Sequence, residues 1–189
     1  MATNQQLSEY SQTALAAYAV DLIAGVSNTG LYKDPKVGMS TAQATAFDNT
    51  WSVIQQSAYN INGFSAVLLQ RKDANGNPNP NGEKVLAIAG TDPSSPADLL
   101  TDLSIVLGSS VINLGQYAAL EAFYTQLLSD PAHPLGANEA ITVTGHSLGG
   151  FLAQAFTARH SAVVSAAYTY NALGLGSMDQ LMGYLVITD

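Results

Sequence analysis

Ile141-Thr142-Val143-Thr144-Gly145-His146-Ser147-Leu148-Gly149-Gly150 is the stretch from which the fold of this chain can be read. Ala140 to Thr144 has the short apolar pattern of a buried strand, and Phe151 to His160 reads as helical. Between them lies a glycine-x-serine-x-glycine step with no spacer on either side. The five-residue pattern carries little weight by itself, but a strand running into it and a helix running out of it are what a nucleophilic serine requires. The reason is steric. A serine at the tip of a sharp strand-to-helix bend holds a strained backbone, and side chains on its neighbours would collide. Gly145 and Gly149 remove those side chains, so that strand and helix can approach. The Ser147 hydroxyl is then expected to stand clear of the sheet, where a carbonyl carbon can reach it. The Leu148 N–H falls at the helix start, where unpaired donors and the positive dipole end suit an oxyanion. A glycine-rich turn with a capping serine is the plainer alternative.

Upstream and downstream of this bend the pattern is that of an α/β protein. Val163 to Tyr170 is another apolar strand, and Gln116 to Leu128 is a helix stopped by Ser129-Asp130-Pro131. Ala97 to Leu107 also has helical spacing. Lys84 to Ala89 reads as a buried strand antiparallel to an earlier one over Gly63 to Gln70. The Asn-, Gly- and Pro-rich run Asp73 to Gly82 between them is a surface turn. Ser40 or Thr41 caps a short helix through Phe47, with Trp51-Ser52-Val53-Ile54 close behind it. Leu7 to Ile23 reads as a longer helix with a glycine stop at Gly25. Helix and strand alternate in the later half, which implies a mostly parallel sheet flanked by helices. With no internal repeat and no linker, residues 1–189 form a single domain in this reading.

Composition narrows the function. Of the 189 residues 47% are hydrophobic and only 11% are charged, with a net charge of −8. A folded core is therefore expected, and a nucleic-acid partner, which needs a basic face, is not. The same negative charge disfavours electrostatic docking on anionic membranes. There is no cysteine, so disulfides and thiolate metal sites are excluded. The first residues, MATNQQLSEY, lack the basic start of a secretory signal. The apolar run Thr13 to Val26 is broken by Asp21 and is too short for a transmembrane segment. No D-x-D-x-D-G loop or glycine-aspartate repeat points to calcium, so no metal or other cofactor is expected.

The GHSLGG run after an apolar strand resembles the class 3 lipase family, which is of the α/β-hydrolase type. It is also similar to the catalytic part of secreted bacterial lipases and esterases. The likeness spans Phe64 to Gly176. In that family an earlier strand ends in a Gly-Thr or Gly-Ser step that supplies a second oxyanion donor. The corresponding run here is Val85-Leu86-Ala87-Ile88-Ala89-Gly90-Thr91-Asp92, so the resemblance assigns the oxyanion hole to the amides of Thr91 and Leu148. Each such donor is worth about 3–4 kcal/mol of transition-state stabilisation. Ala89 departs from the arginine usual before that step. Asp98 and Asp102 share a helical face near a helix start and read as capping and dipole compensation. The apolar stretch Leu99 to Leu114 reads either as core or as a lid over an acyl chain. What the resemblance implies is a lipid or other ester substrate and an extracellular enzyme.

The triad is incomplete. A serine hydroxyl needs a histidine base oriented by an acid, and in this fold the chain order is serine, acid, histidine. The three histidines are His133, His146 and His160. His133 lies between prolines and reads as a surface residue. His146 should point away from Ser147 and pack against neighbours. His160 closes the helix that Ser147 begins, roughly 20 Å away at about 1.5 Å rise per residue. Asp189 stands where the acid could lie. The expectation is that the domain lacks its C-terminal part and that the base is encoded further on. Two alternatives stay open: a catalytically inactive module that binds lipid or a partner, and a subunit whose site is completed by a partner chain.

Overall fold

A computed structural model describes residues 3–58, 63–90, 110–132 and 134–172. In chain order the elements are α1 (Asn4–Ala16), α2 (Thr29–Tyr32), α3 (Thr41–Thr50), β1 (Trp51–Gln56), β2 (Ala66–Arg71), β3 (Lys84–Ile88), α4 (Ser110–Ser129), β4 (Ile141–His146), α5 (Leu148–Arg159) and β5 (Val164–Tyr170). The five strands form one sheet in the order β1-β2-β3-β4-β5. The pairings β1–β2 and β2–β3 are antiparallel, and β3–β4 and β4–β5 are parallel. The architecture is α/β, with helices on both faces of a mixed sheet.

Both faces of the central strands are buried, as a sheet covered on two sides requires. Ala66, Leu68, Leu86, Ile88 and Val143 face a core shared with α4 and α5, around Tyr117, Leu120, Phe151 and Phe156. The intervening residues Val67, Leu69, Val85 and Ala87 face the opposite core, with Tyr32, Phe47 and Trp51. The period-2 alternation thus fills two separate cores.

Several element ends follow from local chemistry. Ser40 caps α3 in a reciprocal box with Gln43, each side chain accepting from the other's amide. Asp73 ties the polar turn through Oδ1, which accepts from the amides of Asn75 and Asn77. Residues 51–56, to which the sequence assigns no element, form strand β1, with a register irregularity between Val53 and Gln55.

The first helix differs from expectation: it ends at Ala16, not Ile23. Tertiary hydrogen bonds take over where helical ones would continue. Ser65 Oγ donates to the Ala17 carbonyl at 2.9 Å, and the Gln56 amide bonds both the Ala19 carbonyl and the Leu22 N–H. The chain therefore leaves the helix through a turn at residues 17–18, closed by the Tyr18 and Ala19 amides on the Leu15 and Ala16 carbonyls, which sets the place of Tyr18.

The helices α4 and α5 are joined by an ion pair. His160 Nε2 lies 3.0 Å from both carboxylate oxygens of Glu121, and Arg159 Nε is 3.9 Å from one of them. Burial alone would push the Glu121 carboxyl up, but hydrogen bonding to His160 and the positive charge of Arg159 outweigh it, so the group titrates below its ordinary 4.5. A depressed carboxyl contributes stability above its unfolded pKa and loses it as pH falls through the folded one. Glu121→Gln should therefore lower Tm at pH 7 by a few degrees, corresponding to about 1 kcal/mol for a partly exposed pair. That difference should vanish in melts taken progressively below pH 4.5. A difference that grows in acid would show that the carboxylate is not the stabilising form.

Candidate active site

Strand β4 delivers Ser147 to the start of α5 through a backbone of φ 55° and ψ −125°. Only three non-glycine residues among those described have positive φ: Asp21, Ser147 and Asn171. This conformation is one an L-residue adopts at a cost, and it makes the bend tighter than a standard helix cap. It is held at both ends. The Ser147 N–H donates to the Tyr170 carbonyl at the end of β5, at 2.9 Å, and its own carbonyl accepts from Gly150 and Phe151 at 3.0 and 3.2 Å. The serine side chain makes no capping hydrogen bond.

The glycines lie where the chain crosses itself. A Cβ on Gly145 would stand 2.3 Å from the Gly149 carbonyl oxygen, and one on Gly149 would stand 2.2 Å from that of Ile88. Helix α5 therefore rests directly on the ends of β4 and β3. Gly150, quoted in the motif but given no role from sequence, is also confined: its Cβ would meet that of Ala172 at 2.7 Å.

The placement of the expected residues is uneven. Leu148 is the first residue of α5 and is buried, and among the described residues its N–H has no acceptor. Thr91, Asp98, Asp102, His133 and Asp189 lie outside the described residues, as does Leu99 to Leu114 up to residue 109; residues 110–114 open α4. The described part of β3's exit reaches Gly90, where a Cβ would be 2.9 Å from the His146 carbonyl oxygen and 3.3 Å from the Gly149 nitrogen. Gly90 thus lies against the strand-to-helix bend.

The motif is expected to hold the Ser147 hydroxyl clear of the sheet; the residue is 4% exposed. A cavity of about 350 Å³ is lined by Tyr18, Val20, Gly63, Ser65, Ala89 and Gly90, among others.

Both described histidines have partners other than Ser147. The His146 ring lies against Tyr18, with Nδ1 3.3 Å from the Tyr18 hydroxyl, and burial holds its pKa below the ordinary value. His160 sits at the far end of α5, bound to Glu121. Among the described residues no group of three or more histidines and carboxylates gathers to hold a metal ion. No described helix is long and apolar enough to cross a membrane.

Tyr18 carries no sequence signal of a role. Its hydroxyl accepts from the Gly90 N–H at 3.0 Å, a contact 72 residues apart in the chain. No periodicity or motif links those positions. Only the early end of α1 brings them together.

No family model and no curated protein matches the chain. Among solved structures, the Lip2 lipase from Yarrowia lipolytica is similar in fold, with a TM-score of 0.53 and 19% identity. The alignment covers 88% of this chain and 57% of that one, so the chain spans less than two thirds of that structure. At this identity the likeness concerns the fold alone, an α/β fold with a mixed sheet flanked by helices.

Proposed function

We propose that this chain carries the nucleophile half of a serine ester hydrolase, acting on lipid-like carboxylic esters. The observation that carries the reading is the Ser147 bend: positive φ, helix behind, strand in front, and glycines pressed backbone to backbone on either side. A capping serine needs none of this, because an ordinary N-cap uses extended backbone and bonds its own helix. The likeness to a lipase in fold supports the reading, as does the resemblance of GHSLGG to class 3 lipases.

In this reading Ser147 Oγ attacks the ester carbonyl carbon while a histidine takes its proton. The amides of Leu148 and Thr91 hold the oxyanion, and the alcohol leaves with the proton. Water then hydrolyses the acyl-enzyme. Because His146 and His160 are engaged elsewhere, the base comes from outside those two, with Asp189 the candidate acid. By resemblance the enzyme works outside the cell. A second reading, an inactive module that binds lipid or a partner chain, is favoured by the engagement of both described histidines and the low exposure of Ser147.

Incubation with a fluorophosphonate, followed by peptide mapping, tests the choice. Label on the peptide containing Ser147, absent in Ser147→Ala, with parallel turnover of a short-chain nitrophenyl ester, is the expected result. Lipid binding without label or turnover favours the inactive module.

A further inference from the structure

We propose that Tyr18 is a positioning residue of this site, its hydroxyl fastening the exit of β3 to the nucleophile bend. The inference rests on the hydrolase reading above. One phenolic oxygen reaches both sides. It accepts from the Gly90 N–H at 3.0 Å, and it lies 3.3 Å from His146 Nδ1 and 3.5 Å from the His146 carbonyl oxygen. Gly90 adjoins the assigned oxyanion residue in the chain, and His146 adjoins Ser147. The hydroxyl also occupies space that any larger residue at 90 would need, since a Cβ there would stand 2.8 Å from it.

The hydroxyl has one proton and two lone pairs, so it can accept from Gly90 and still bond to His146, at the ring nitrogen or at the carbonyl. The His146 ring lies edge-on to Tyr18 with centroids 6.3 Å apart, and burial favours its neutral form. The contact holds the ring beside Ser147 in one orientation. Loss of this fastening leaves the Gly90 amide unpaired and the two strand ends free to separate. A misplacement of about 1 Å between nucleophile and oxyanion donors can cost on the order of 100-fold in rate.

Tyr18→Phe keeps the ring and removes the hydroxyl that makes the link. In fluorophosphonate labelling of the full chain, the maximal inactivation rate should fall about 10- to 100-fold while the half-saturating concentration stays unchanged. In 15N spectra the His146 ring nitrogen resonances should shift, and the Gly90 amide should exchange with solvent at least about tenfold faster. Tyr32→Phe is the control. It deletes a buried hydroxyl that has no hydrogen-bond partner among the described residues, so all three readouts should match wild type. Wild-type labelling kinetics in Tyr18→Phe overturn the positioning role, as does an equal loss in Tyr32→Phe. A wild-type chain that takes no label overturns the hydrolase reading and Tyr18's part in it together. The His146 spectrum, which needs no reactive serine, tells that failure apart from a failure of the Tyr18 link itself.

Discussion

Ser147→Gly is expected to abolish hydrolysis and to make the protein more stable at the same time. The two effects come from the same residue by different routes. Without the hydroxyl no acyl-enzyme forms, and in serine hydrolases loss of the nucleophile costs about 10⁶-fold in turnover. The backbone at 147, with φ 55° and ψ −125°, is one that glycine adopts freely and serine does not. Such a conformation costs about 1–3 kcal/mol in a non-glycine residue. Glycine loses more chain entropy on folding, which offsets roughly 0.5–1 kcal/mol of the gain. A net rise of about 1 kcal/mol corresponds to about 2–4 °C in Tm for a domain of this size. Ser147→Ala separates the two routes, because alanine removes the oxygen but keeps the Cβ. It should be as inactive as the glycine variant and melt near wild type. If Ser147→Gly melts at or below Ser147→Ala, the bend stores no strain, and the case for a nucleophile held there loses its main support.

The contrast between what was legible and what was not follows contact range. The strand-to-helix bend could be read because its requirement is local: a strand, two glycines, a serine and a helix follow one another without a break from Ile141 to Arg159. The burial of β3 was likewise visible as an apolar run from Val85 to Ala89. The end of α1 was not, because the bonds that stop it come from Gln56 and Ser65, far along the chain, and overrule a helical pattern that continues to Ile23. Tyr18 falls in the same gap. It lies in an alanine-rich run with nothing to mark it, and acquires meaning only when Gly90 and His146 arrive beside it. The low exposure of Ser147 escapes the motif for a related reason: the motif predicts how sharply the chain turns, not what the rest of the fold brings against the turn.

Alanine at Gly145 or Gly149 is expected to be among the most damaging single-methyl additions in the protein. At Gly145 the new Cβ would lie 2.3 Å from the Gly149 carbonyl oxygen and 2.4 Å from its carbon. At Gly149 it would lie 2.2 Å from the Ile88 oxygen and 2.7 Å from the Ala89 carbon. All four obstacles are main chain, so no rotamer change relieves them; α5 must lift off β3 and β4. That displacement opens the core formed by Phe151, Leu152 and Phe156 against Leu86, Ile88 and Val143, all of them buried. Overpacking that moves a side chain costs about 1–3 kcal/mol, and here a helix must move, so a loss of about 3 kcal/mol or more is expected. Against a total of about 5–15 kcal/mol, this leaves a marginal fold. Gly30→Ala supplies the internal comparison. It lies in α2 with no positive φ and nothing within 4 Å of an added methyl, so it should change Tm little or raise it. Urea denaturation of the three variants measures the difference directly. Near-wild-type midpoints for Gly145→Ala and Gly149→Ala would mean that α5 does not rest on the strand ends, and that the bend at Ser147 is looser than its backbone angles state. Should either variant stay folded but refuse the fluorophosphonate, the helix has shifted by less than a core's width. The Leu148 amide would then have left its place beside the nucleophile while the rest of the chain held.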